Sequence, residues 1–175
     1  MSGPPPIQRI PADVDAARAS VGEVTRLLQE TIARASSSFS EEERKQGVND
    51  EWSTVESLQH IAFVVDVWLG KTIKGEQDPF HPIGLPPHFV PRVLPGSSID
   101  ADADPSFEDA CEVMRGRLAM LDAFCAALTP DDLAREIGTH AKTVAGGLGV
   151  IFDELHAHNS FINRDLDIIE KKARG

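Results

Sequence analysis

An all-α fold is predicted, a four-helix bundle with one long proline-rich loop between its second and third helices. Three observations predict it. Apolar residues recur at spacings of three and four along four segments of bundle length, and helix-start signals stand at the heads of those segments. No pair of segments shows the alternation that neighbouring strands require.

The opening "MSGPPPIQRIP" lacks the apolar stretch of a secretion signal and reads as a disordered, proline-rich lead-in over residues 1–11. Residues 12–175 read as a single domain. The first helix begins after Asp13, with Val14, Ala17, Val21, Val24, Leu28 and Ala35 on one stripe and the serine run Ser36, Ser37, Ser38 as its stop. "SEEE" from Ser40 has the form of a capping box and predicts a short charged turn of helix. A second box at Ser53 and Glu56 opens a helix that runs to about Lys74, where Gly75 stops it. That helix is apolar nearly all round, as a buried one is.

Residues 76–104 contain six prolines and no period of either kind. A stretch of this length is usually functional or mobile. Its Phe80, Ile83, Leu85, Phe89, Val90 and Leu94 predict packing over the body, as a lid or at a homodimer interface. The third helix is predicted from Asp104-Pro105, and Phe107, Cys111, Met114, Leu118, Leu121, Cys125 and Leu128 make its seam. "TPDDLAREI" predicts a short helix capped by Thr129, and the last helix is predicted from about Lys142 to Lys172.

A net charge of -11 argues against nucleic-acid backbones and anionic membranes as partners, and no run is long enough to span a bilayer. Cys111 and Cys125 are the only cysteines, about 21 Å apart along one helix, too far to bridge. They read as buried, reduced thiols, which fits a cytoplasmic location.

The chemistry concentrates in "DELHAHN", Asp153 to Asn159. On a helical wheel Val144, Leu148, Ile151, Leu155, Ile162, Leu166 and Ile169 share a narrow sector, and the slot after Leu155 is filled by His158. Glu154 lies beside it one turn earlier, whereas Asp153 and His156 face the other way, towards water. Glu154 and His158 are therefore either a satisfied buried pair or two ligands of a cation. A third ligand must come from another helix, and His60 stands among apolar residues of the second one. Two histidines and one glutamate make the protein ligand set of an open zinc site. Asp66, Asp165 and His140 are candidates for supporting roles, each with a plain surface or capping role as the simpler reading, while His81 and His88 read as loop residues.

"EWSTVESLQHIAFVVDVWLGKTI" at 51–73, "GVIFDELHAHNSFINRDLDIIE" at 149–170 and "PFHPIGLPP" at 79–87 together resemble the DinB-like (DinB/YfiT) superfamily, in an actinobacterial-type branch with an HPIGLPP-like loop. The resemblance implies a four-helix bundle holding one divalent metal, zinc or nickel, on His60, Glu154 and His158. Glutamate departs from the histidine more usual at the first position of the closing pair, and its charge makes the bound ion a weaker acid catalyst. The resemblance further implies transfer of a low-molecular-weight thiol, mycothiol or bacillithiol, to a small-molecule electrophile. Metal-dependent hydrolysis of a small substrate and a non-catalytic, stress-linked bundle protein are the alternatives.

Overall fold

A computed structural model describes residues 3–88 and 94–175. The described residues are all-α, with no strand beyond a single bridge between Glu136 and Thr143. The elements are α1 (Val14–Ser38), α2 (Glu41–Arg44), α3 (Thr54–Val65), α4 (Phe107–Ala127), α5 (Pro130–Ala134) and α6 (Val144–Arg174). α1 and α3 each pack against both α4 and α6, so the four long helices enclose one core.

α1 starts where expected, with the Asp13 carboxylate accepting from the Ala16 amide at 2.7 Å. It ends at Ser38, within the serine run as expected. The Arg44 guanidinium of α2 donates to the carbonyls of Ala35, Ser36 and Phe39 and so satisfies the end of α1. The Ser40–Glu43 and Ser53–Glu56 capping boxes both form.

α3 continues without a break into a π-helical segment, Asp66–Ile73. Thr72 Oγ1 bonds the Val67 carbonyl and the Lys74 amide bonds Leu69 within it. A Cβ on Gly70 would come within 2.4 Å of Pro79, so glycine lets the following loop fold back onto the helix. In that loop Phe80, Leu85 and Ile99 are buried, with Ile83 and Leu94 half-buried, as the apolar pattern required. Phe89 and Val90, expected to pack likewise, lie outside the described residues.

Two helix starts differ from expectation. α4 is capped by Ser106, whose hydroxyl accepts from Asp109, and not by Asp104. Asp104 is instead paired with Lys45. α6 is capped by Thr143, because Lys142 has a left-handed φ of 67 and cannot be its first turn. The seam of α4 and the stripe of α6 are buried as read.

The lead-in, expected to be disordered, is anchored in its second half. Asp153 accepts from the backbone amides of Gln8 and Arg9 and from the Arg9 guanidinium. Ile7 and Ile10 lie so close to Gly149 that a Cβ there would meet Ile7 at 2.7 Å. Asp153 and His156 are consequently half-buried under this segment, where the wheel placed them in water. No helix among the described residues is long and apolar enough to cross a membrane.

Candidate metal centre

On α6 the stripe of Leu148, Ile151, Leu155, Ile162 and Leu166 is fully buried, and His158 occupies the slot between them at 7% exposure. On α3, His60 is buried to 5% exposure in a helix that buries almost every side chain. Glu51, just before α3, pairs with Arg164 late in α6, while His60 lies against Glu154 and His158. The two helices therefore run antiparallel, and this register brings the three groups together.

His60 Nε2 lies 3.7 Å from Glu154 Oε2, and His158 Nε2 lies 3.5 Å from the same oxygen. One ligand-type atom from each residue falls within 4.8 Å of the others. The separations exceed the roughly 2.7–3.2 Å of an N–H···O hydrogen bond. They lie at or just beyond the spacing of two ligands about 2.0–2.2 Å from a shared tetrahedral ion, which stand about 3.3–3.6 Å apart. The residues thus fit a divalent cation, and the group is one that could hold it.

His60 Nδ1 is 2.8 Å from the Leu85 carbonyl. A carbonyl only accepts, so Nδ1 carries a proton and Nε2 is the nitrogen turned towards Glu154. The loop that supplies Leu85 is fastened to α3 by Gln59, whose side chain donates to the Ile83 carbonyl and whose own carbonyl accepts from the Leu85 amide. His158 Nδ1 is buried with no hydrogen-bond partner. Its ring is held by packing, with Trp52 stacked at 5.7 Å and Phe161 edge-on at 5.5 Å.

His158 and then His60, the two imidazoles at its oxygen, hold the Glu154 carboxyl down at about 2 against the effect of burial. Burial in turn pushes His158 below the usual histidine value. Both shifts keep the ligand-competent forms, an anionic carboxylate and a neutral imidazole, at neutral pH.

The three residues open onto a cavity of about 600 Å³ walled by Trp52, Pro87, Phe161, Arg164 and Asp165, with Ser57 and His88 also lining it. Sequence periodicity alone assigns Trp52 and Phe161 no role here. Phe161 stands three residues after His158, next to it on the same helix face, which is the signal that could have found it.

The supporting candidates separate. Asp66 is buried, but at the head of the π-helical segment, where it pairs with Arg117 and accepts from the His81 amide. His140 lies edge-on to Trp68. Neither lines the cavity, whereas Asp165 does.

A family model described as the DinB superfamily matches residues 23–162, and this chain belongs to that superfamily. The matched span includes His60, Glu154 and His158. No curated protein and no solved structure gives a significant match.

Proposed function

We propose that His60, Glu154 and His158 hold one divalent cation, zinc or nickel, at the heart of a four-helix bundle with a proline-rich loop between its second and third long helices. On this reading the protein is a cytoplasmic, metal-dependent transferase that joins a low-molecular-weight thiol such as mycothiol to a small electrophile. The observation that carries it is the pair of 3.5 and 3.7 Å separations about a single Glu154 oxygen, too long for hydrogen bonds and suited to a shared ion.

A divalent cation supplies thiol activation when bound, by lowering the pKa of a sulfur ligand at an open position. The chain's own residues do the rest. Leu85 fixes the His60 tautomer so that Nε2 faces the ion. Trp52 and Phe161 pack against the His158 ring and hold its orientation. Glu154, partly exposed at the cavity mouth, brings one negative charge and leaves the ion less acidic than three imidazoles would.

Elemental analysis of untagged protein, alongside His60→Ala and His158→Ala variants, tests the metal. About one ion per chain is expected in the wild type and little in either variant; equal content in all three rules the site out. Thiol consumption with mycothiol and bacillithiol against a panel of electrophiles tests the transfer. Hydrolysis without thiol would move the assignment to a metal hydrolase. Full metal occupancy with no turnover of either kind would leave a non-catalytic binding protein.

A further inference from the structure

Asp165 is 2% exposed, and its Oδ1 is buried without a hydrogen-bond partner although the residue lines the cavity. Buried carboxylate oxygens are normally satisfied, because leaving one unpaired is costly. Arg164 is the nearest cation, with Nε 3.6 Å from that oxygen, beyond hydrogen-bond reach. The outer nitrogen of Arg164 is engaged by Glu51 at the cavity rim. Burial raises the Asp165 carboxyl, Arg164 opposes this and Glu51 adds to it, so the surroundings leave the group in want of a donor.

Asp165 follows His158 by seven residues, which places it on the same face of α6 about 10 Å further along the axis at about 1.5 Å per residue. Trp52 and Phe161 line the cavity as well. We infer that Asp165 forms a second subsite, which accepts a hydrogen bond from a hydroxyl or amine of the ligand whose sulfur end lies at His60, Glu154 and His158. The inference rests on the metal and thiol reading above and narrows it. The thiol is an extended one, with O–H or N–H donors about 10 Å from sulfur, and short thiols fill only half the site.

The test uses protein loaded with cobalt(II), in which sulfur coordination is read from charge-transfer absorption. Cysteine and cysteinylglucosamine serve as the short and the donor-bearing thiol. The wild type is expected to bind cysteinylglucosamine at least about tenfold more tightly than cysteine, the size of one hydrogen bond to a charged group. Asp165→Ala should erase that preference while cobalt content and cysteine affinity stay unchanged, and Asp165→Asn, which keeps an acceptor, should restore part of it. Equal affinities for the two thiols in the wild type overturn the subsite, even if Asp165→Ala does not fold. A preference that survives in folded Asp165→Ala overturns it too. Failure of both thiols to perturb the cobalt spectrum instead overturns the thiol reading itself, and the subsite with it.

Discussion

His60 donates its Nδ1 proton to the carbonyl of Leu85 at 2.8 Å, which ties an imidazole of α3 to the proline-rich loop. The tie makes the loop part of the candidate centre, since the tautomer and orientation of His60 depend on where Leu85 is held. Gln59 holds it there, through two hydrogen bonds to Ile83 and Leu85. Gln59→Leu, which keeps the volume and loses the side-chain donor, is expected to weaken metal binding by about 10- to 100-fold while the helices stay folded. Competition with a chromophoric chelator measures the affinity and circular dichroism the fold. An unchanged affinity would show that the loop does not orient His60.

Removing the ion should also loosen the domain. A ligand present at about 100 times its dissociation constant stabilises the folded state by about 2.7 kcal/mol. For a chain of this size that is about 5–10 °C in melting temperature. Calorimetry with and without a chelator is expected to show such a drop in the wild type and none in His158→Ala. A chelator effect of equal size in both proteins would place the stabilising ion elsewhere.

The parts of this structure that were legible in the sequence are local ones. Capping boxes at Ser40 and Ser53 and the stripe of α6 are written in residues three to seven apart, and the same periodicity exposed His158 as a polar group in a leucine slot. What escaped depends on contacts between distant segments. Arg44 satisfies the end of α1 by reaching back to its last carbonyls, and Asp153 captures a lead-in whose sequence has no core-forming pattern. Ser106 and Asp104 are both good caps by type, and the choice fell to Ser106 with Lys45 engaging Asp104. The burial of Asp66, read as a surface or capping group by default, follows from Arg117 of α4 pairing with it across the helices, and Asp165, read the same way, is buried beside the cavity.

Cys111 and Cys125 are expected to be inert. Burial pushes the first thiol up to about 11 and the second to about 12, and both are almost fully covered. The reactive thiolate is therefore scarce at pH 7.5, and an alkylating reagent has no path to it. Iodoacetamide followed by intact-mass measurement should give unmodified native protein and two adducts after denaturation. Rapid modification of the native chain would mean that α4 opens readily.

Arg117 and Asp66 supply a pH test of the buried pair. Arg117 Nε lies 2.8 Å from Asp66 Oδ1, and the carboxylate is 2% exposed. Burial raises the Asp66 pKa above 3.8, opposed first by the bond from Arg117 and then by that from the His81 amide. Arg117→Ala removes the larger opposing bond and leaves a buried charge, so a loss of about 3–5 kcal/mol is expected at pH 7.5. A carboxyl whose folded pKa lies above its unfolded one contributes stability that is fully present below the unfolded value and is lost as pH rises through the folded value. The deficit of the variant should therefore shrink as pH falls towards the ordinary aspartate value of 3.8, because Asp66 then takes up a proton in the folded state. Urea unfolding of both proteins at pH 7.5 and pH 5 measures this. A deficit that is constant, or that grows in acid, would show that the loss comes from packing around Arg117 and not from the stranded carboxylate.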